Sequence, residues 1–201
     1  MSSKAKDASP ELRGGKRRKL IFQALHDCII EKGYAKTTLA DVARTAEMTP
    51  SHLLYYFSGK DAILEDFFEN VAQRIIERME GFRSETPERR IDLFVDLFFA
   101  GKGITMSEIG FMLECFGAAV HDSQLHHEKT ALDHFCKTYL EELFVESPCG
   151  ASKARDSAEV AYAMLIGLRT AVYFDERIDL PRARSLFRTS IMSLADAGQI
   201  G

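Results

Sequence analysis

Helical periodicity is the feature that most constrains the fold of this chain. From Lys16 onward, apolar residues recur at three- and four-residue spacings, and no segment shows the strict alternation that is typical of a half-buried strand. The first apolar stripe, which ends before Gly33, consists of Leu20, Ile21, Ala24, Leu25, Cys28 and Ile29. The pattern predicts an all-α protein of about nine helices.

Thr, Pro and Gly residues mark where these helices begin and end. Thr38, with Asp41 three residues later, predicts a capped helix to about Ala46. Thr49 and Pro50 predict the start of the next helix, which runs to about Phe57. A long helix follows, and five further helices are predicted at 88–100, 105–121, 123–146, 152–175 and 181–196.

The composition indicates a folded protein without a membrane segment. Of 201 residues, 46% are hydrophobic and 28% are charged. The longest apolar runs fall far short of the roughly 18 residues that cross a bilayer, and the first residues lack the apolar core of a signal peptide. We therefore predict a cytoplasmic protein whose four scattered cysteines are reduced thiols.

Charge is unevenly distributed along the chain. Residues 1–60 contain 11 Lys and Arg against 6 Asp and Glu, whereas residues 61–201 contain 15 against 24. This asymmetry indicates that a polyanion binds the N-terminal part. We predict a flexible basic arm at 1–15 and two helical domains, at 16–61 and 62–201, of which the first lies in the basic part of the chain.

Residues 38–57 have the pattern of a helix-turn-helix. Two short helices flank a three-residue break, and an amphipathic helix precedes them. We predict that Leu53, Leu54 and Phe57 pack the second helix on its scaffold. The polar and aromatic residues left for its outer side are Pro50, Ser51, His52, Tyr55 and Tyr56.

Residues 17–65 resemble the DNA-binding region of the tetracycline-repressor (TetR) family of bacterial regulators. The matching elements are Gly33-Tyr34, Thr37-Thr38, Asp41-Val42-Ala43, Ala46, Thr49, Leu53, Tyr56-Phe57 and Lys60-Asp61. The resemblance implies that 16–61 is a helix-turn-helix DNA-binding domain with a double-stranded operator DNA as its partner, and that 62–201 is a helical effector-binding and dimerisation domain. It implies base contacts from Pro50, Ser51, His52 and Tyr55, and phosphate contacts from Arg17, Arg18, Thr37, Thr38, Tyr56 and Lys60.

Two positions depart from the family pattern. Glu47 stands at a turn position where the family commonly has Gly, and a left-handed backbone there costs a residue with a side chain roughly 1–2 kcal/mol. Leu54 stands where the family tends to have Tyr, so a phosphate contact often made from that position is absent.

The resemblance also implies a homodimer formed by the last two long helices. The residues expected at its interface are Ala161, Met164, Leu168, Val172, Phe187, Ile191 and Leu194. Part of each of these apolar stripes is also expected to face the core of the single chain.

A stripe rich in Phe and Met in the middle of the chain is the predicted effector pocket. Its residues are Phe94, Phe98, Met106, Phe111, Met112, Cys115, Phe116, Phe135 and Tyr139. Without the resemblance, the same stripe would be interpreted as ordinary core.

The function predicted from these features is that of a DNA-binding transcriptional regulator, a repressor that a small, largely apolar effector releases from its operator. It is expected to use no cofactor and to have no enzymatic activity. One alternative is an all-helical metal-binding protein or enzyme that uses the region of His121, His127 and His134. Another is a helical scaffold that binds only protein.

Overall fold

The computed structural model describes residues 10–101, 105–148 and 150–196, and these ranges contain nine α-helices and no β-strand. The helices are α1 (Pro10–Lys32), α2 (Leu39–Thr45), α3 (Pro50–Leu54), α4 (Lys60–Gly81), α5 (Pro87–Phe99), α6 (Met106–Ala119), α7 (Ser123–Val145), α8 (Ala151–Phe174) and α9 (Leu180–Asp196). A 3-10 turn, Phe82–Ser84, follows α4. The all-α prediction is confirmed, and the predicted ends of α5 to α9 lie within two residues of the observed ones.

The ends of two N-terminal helices differ from the prediction. Helix α1 begins at Pro10, so residues 10–15 of the predicted flexible arm are helical, and residues 1–9 lie outside the described residues. Helix α3 ends at Leu54 rather than near Phe57, because the chain turns there towards α4.

Side-chain caps explain why five of the helices begin where the sequence predicts. In each case a hydroxyl or carboxylate accepts a hydrogen bond from the backbone N–H three residues later, which satisfies a donor that has no partner within the helix. The capping residues are Thr38, Thr49, Thr86, Thr105 and Asp122.

The chain divides into two compact units, Met1–Phe68 and Glu69–Gly201, which we call the N-terminal and C-terminal units. The division falls within α4, beyond the domain boundary predicted at residue 61. The fully buried large apolar residues of the N-terminal unit are Ile21, Leu25, Ile29, Val42, Leu53, Ile63 and Leu64.

The C-terminal unit is a helical bundle with a continuous apolar core. Helix α8 packs against α6, α7 and α9, and α9 also packs against α5. Two ion pairs join α5 to α9, with Arg184 Nε 2.7 Å from Asp96 Oδ1 and Arg188 Nε 2.7 Å from Asp92 Oδ1. These contacts fix the relative register of the two helices.

Three cysteines, Cys28, Cys115 and Cys136, are buried free thiols, as the sequence predicts, and Cys149 lies outside the described residues. Burial raises the pKa of Cys136 to about 12. In the described part of the chain, no helix combines the length and the hydrophobicity needed to span a bilayer.

Candidate nucleic-acid interface

The connection between α2 and α3 is a tight turn. The N–H groups of Glu47 and Met48 donate hydrogen bonds to the carbonyl oxygens of Arg44 and Ala43, at 3.1 and 2.8 Å. Glu47 has a φ of +54° and is the one non-glycine residue of the described ranges with a positive φ. The strained backbone expected where the family has Gly is therefore present.

Helix α3 is short, capped and anchored on one side. Thr49 Oγ1 accepts a hydrogen bond from the His52 N–H at 3.2 Å, and Pro50 occupies the first turn, where no intrahelical donor is lost. Leu53 is completely buried and Phe57 is 6% exposed. These contacts hold the helix rigidly against the N-terminal unit.

The residues predicted to contact bases are all exposed. They are Pro50, Ser51, His52 and Tyr55. Tyr55 is 82% exposed, and the rings of His52 and Tyr55 lie 5.6 and 5.3 Å from that of the partly buried Tyr56. The exposed side of α3 therefore combines a hydroxyl, an imidazole and a phenol.

The prediction that Leu54 packs inward is wrong. Its side chain is 50% exposed, because the buried positions Leu53 and Phe57 are four residues apart, and the neighbouring residue points about 100° away from that face. An apolar side chain consequently belongs to the surface that α3 presents.

Thr37 and Thr38 occupy different environments. Thr37 is 2% exposed and its hydroxyl donates to the Gly33 carbonyl oxygen at 2.9 Å, so it positions the start of α2 and is not available to a phosphate. Thr38 is exposed, and its hydroxyl exchanges hydrogen bonds with Asp41. The prediction of a phosphate contact is thus corrected for Thr37 alone.

The predicted cationic phosphate contacts are partly engaged within the unit. Lys60 Nζ donates to the Tyr34 carbonyl oxygen at 2.9 Å and lies 4.1 Å from the centre of the Tyr34 ring. Arg18 Nη1 lies 2.9 Å from Asp66 Oδ2, whereas Arg17 is exposed. Ion pairs at the surface are weak, so Arg18 remains able to exchange its partner for a phosphate.

Two exposed cations near α2 were not among the phosphate contacts predicted from the sequence. Lys36 is exposed, and the Arg44 side chain is 76% exposed although Arg44 Nη2 lies 2.8 Å from Asp41 Oδ1. Hydrogen bonds from Lys32 and then Thr38 hold the pKa of Asp41 well below its usual range. The position of Arg44 in the last turn before the connection to α3 was the available signal.

Part of the predicted dimer interface lies inside the single chain. The residues concerned, none more than 6% exposed, are Ala161, Val172, Phe187 and Ile191. They face inward because α8 and α9 pack on each other and on the rest of the bundle. Of the predicted set, Met164, Leu168 and Leu194 keep part of their surface exposed.

The predicted effector pocket is largely filled by its own side chains. The members at most 4% exposed are Phe94, Phe111, Cys115 and Tyr139, and those that are partly buried are Phe98, Met112, Phe116 and Phe135. These residues do not line an open cavity of about 410 Å³ in the described part of this unit. Its lining residues are Met106, Val172, Asp175, Glu176, Ile178, Asp179, Leu180 and Pro181. Only Met106 was predicted.

The histidines of the metal-binding alternative are spread over the surface. His121, His127 and His134 are all exposed. Across the ranges that the structure describes, no three His, Cys, Asp or Glu residues are grouped so that they could hold a metal ion. The alternative therefore has no support.

Two family models together match most of the chain. Residues 21–67 match the model of bacterial regulatory proteins of the tetR family, and residues 87–196 match that of the C-terminal region of BetI-type transcriptional repressors. Among curated relatives, the HTH-type transcriptional regulator BetI of Escherichia coli O17:K52:H18 is 22% identical over 178 residues, which are 86% of this chain and 90% of the relative. BetI 1 of Chromohalobacter salexigens is 24% identical over 174 residues, covering 85% and 86% of the two chains.

Solved structures show the same fold. A transcriptional regulator from Saccharomonospora viridis in complex with choline has a TM-score of 0.76 at 16% identity, with 89% of this chain and 96% of that chain covered. A TetR transcription regulator from Haloarcula marismortui has a TM-score of 0.76 at 19% identity, covering 91% and 98%.

The capped, outward-facing α3 and these matches define a helix-turn-helix DNA-binding transcriptional regulator. The chain belongs to the TetR family of bacterial regulatory proteins, with a C-terminal region of the BetI type. Members of this family are regulators and not enzymes, which agrees with the prediction from the sequence.

Proposed function

We propose that this regulator is a homodimeric repressor that binds an operator through two copies of α3 and leaves it when a small effector binds. The exposure of Ser51, His52 and Tyr55 opposite the buried anchors Leu53 and Phe57 carries the proposal. A short rigid helix of this kind fits a major groove about 12 Å wide, where its side chains reach the base edges.

Phosphate contacts would fix the position of α3 on the duplex. We assign them to the exposed or exchangeable groups around it, which are Arg17, Arg18, Thr38, Tyr56, Lys60 and, in addition, Lys36 and Arg44. Such contacts set register and orientation without reading the sequence. Because they act on DNA, we place the protein in the cytoplasm.

A dimer is needed because one short helix buries too little surface for useful affinity. The exposed face of α8 supplies a stripe of small and apolar residues at helical spacing, namely Val160, Ala163, Met164, Gly167 and Phe174. Val160 is 49% and Phe174 72% exposed. We propose this stripe, with Leu168 and Leu194, as the interface that holds two copies of α3 about 34 Å apart.

Similar proteins support the proposal of effector control. The matching C-terminal model is named for a repressor, and one similar structure contains choline. We propose that a small molecule binds the C-terminal unit of this chain in a conformation that no longer fits two half-sites. The DNA and the effector then lower each other's affinity by the same factor.

The proposal is tested by selecting binding sites from random duplex DNA with the full-length protein. We expect an inverted repeat whose half-sites are one helical turn apart or a multiple of it. His52→Ala should weaken binding to the selected site about tenfold or more, whereas His127→Ala, an exposed histidine of the C-terminal unit, should not. Failure to enrich any sequence, or equal affinity of both variants, would contradict the proposal.

A further inference from the structure

Leu54 is the large apolar side chain that α3 leaves on its surface. It is 50% exposed, whereas its neighbour Leu53 is completely buried and anchors the helix. Leu54 therefore adds little to the packing of the N-terminal unit. A single exposed leucine is common on protein surfaces, so its meaning depends on the residues that surround it.

The residues around Leu54 are those proposed to contact base edges. Successive side chains of an α-helix are rotated by about 100°, which places Ser51 and Tyr55 roughly opposite the buried Leu53. Leu54 and His52 then flank this pair, one on each side, and all four residues are exposed. Leu54 thus occupies the same place at one edge of the exposed side of α3 that His52 occupies at the other.

The segment that contains α3 has no charged side chain of the kind that most often reads DNA. Residues 48–59 include no Lys, Arg, Asp or Glu. The commonest specific contact in the major groove joins an Arg or Lys to the O6 and N7 atoms of guanine, and α3 cannot make it. Under the proposed function, α3 distinguishes bases with polar and aromatic groups and with the apolar Leu54.

The major groove offers a suitable partner for an apolar side chain. Every base edge presents hydrogen-bond donors or acceptors, and thymine adds a C5-methyl group. A leucine that covers a polar edge removes water from it without supplying a hydrogen bond, which is unfavourable. A leucine that covers the methyl group removes two apolar surfaces from water, which is favourable.

From this arrangement we infer that Leu54 determines specificity by packing on the C5-methyl group of a thymine in each half-site. The inference rests on the proposed function and names one base that the operator contains. Two adjacent leucines consequently have separate tasks, since Leu53 stabilises the N-terminal unit and Leu54 contacts a base.

The test removes single methyl groups from the DNA. The full-length protein is titrated, by fluorescence anisotropy, with the duplex selected from random DNA and with variants of it. In each variant one thymine is replaced by deoxyuridine, at the same position of both half-sites. We expect one such replacement to weaken binding of the wild type about tenfold, or about threefold for each methyl group. Leu54→Ala should bind that variant and the original duplex with affinities that differ by less than about twofold.

Two further substitutions separate this contact from a general effect on the fold. Leu20→Ala truncates a leucine of α1 that is 51% exposed, so it matches Leu54 in residue type and exposure. It should keep the tenfold effect of the methyl groups. Leu54→Met retains an apolar side chain of similar size and should keep most of that effect.

The outcomes distinguish this inference from the function on which it rests. A selected site in which no methyl group affects binding, or a methyl effect as large in Leu54→Ala as in the wild type, would overturn the inference alone. Loss of the methyl effect in Leu20→Ala as well would also overturn it, because the effect would then depend on the whole unit. Failure to select any sequence would contradict the proposed function and the inference together.

Discussion

Cationic side chains have opposite environments in the two units of this protein. In the N-terminal unit, which also contains the exposed helix α3, Arg17 and Arg44 lie on the surface. In the C-terminal unit, Arg90 and Arg169 are withdrawn from solvent to 2% and 7% exposure. A polyanion is met by exposed, exchangeable cations, whereas a buried cation needs a partner of fixed geometry.

Under the proposed function, this difference separates the cations that contact DNA from those that stabilise the fold. Exposed cations contribute to DNA affinity through counterion release and little to stability. Removing a buried, paired cation destabilises the fold, because it leaves the partner group buried and unpaired. Exposure therefore predicts which substitutions affect binding to DNA and which affect folding.

The sharpest contrast lies between the adjacent leucines of α3. Leu53→Ala should lower the free energy of unfolding of the N-terminal unit by about 3 kcal/mol, because it leaves a cavity under a helix that has few other anchors. Leu54→Ala should change it by less than about 1 kcal/mol, because that side chain is half exposed. Chemical denaturation followed by circular dichroism measures both, and equal losses would contradict the inward-outward assignment of α3.

A second pair of substitutions compares the cations themselves. Arg90→Gln should lower the free energy of unfolding of the C-terminal unit by about 2 kcal/mol, since it removes a buried ion pair whose carboxylate partner is half exposed. Arg17→Gln should leave stability unchanged and reduce the slope of log affinity for DNA against log salt by about 2, because the proposed dimer loses one phosphate contact from each of its two copies. Denaturation and fluorescence anisotropy at several salt concentrations give the two quantities.

The contrast between the buried and the exposed arginine would be contradicted if the two substitutions had the opposite effects. A large loss of stability in Arg17→Gln, or an unchanged salt slope, would show that Arg17 is part of the folded unit rather than of a DNA-binding surface. An Arg90→Gln variant as stable as the wild type would show that the attraction between Arg90 and its partner Glu146 only compensates for the cost of removing the arginine from water.

Local signals made the helix ends predictable from the sequence. Thr38 with Asp41 and Thr49 with Pro50 specify hydrogen bonds over three residues, and the structure forms both caps as expected. The strain at Glu47 was predictable for the same reason, because it follows from the backbone of a single turn.

Contacts between distant helices were not predictable in the same way. A periodic stripe shows that a face is apolar but not whether it meets the same chain or another, so Phe187 and Ile191 were assigned to the dimer interface although they are completely buried in the single chain. The buried state of Arg169 had no sequence signal either, because its acceptor, the Phe98 carbonyl, is a backbone group 71 residues away.

The capping box of α2 should make the N-terminal unit sensitive to acid. The pKa of Asp41 is lowered, chiefly by Lys32 and then by Thr38, so its ionised form stabilises the fold above about pH 4, near the pKa of an unfolded Asp. That contribution is lost progressively as the pH falls from there towards the lower pKa of the folded state. Asp41→Asn should therefore flatten the pH dependence of unfolding below about pH 4, and Asp156→Asn, an exposed residue of the other unit, should not. Parallel acid profiles of the wild type and Asp41→Asn would contradict this role.

The smallest expected effect concerns Glu47, in the turn between α2 and α3. Glu47→Gly removes the side chain from a residue with a φ of +54°, which relieves about 1–2 kcal/mol of strain. Glycine also has more conformational entropy in the unfolded chain, which lowers the stability by about 0.5–1 kcal/mol. The net expectation is a gain of up to about 1.5 kcal/mol in the free energy of unfolding, measured by denaturation. Affinity for the operator should rise slightly as well, because a negative charge is removed beside the DNA-binding helix. A loss of stability in Glu47→Gly would mean that the Glu47 side chain makes a contribution larger than the strain it imposes.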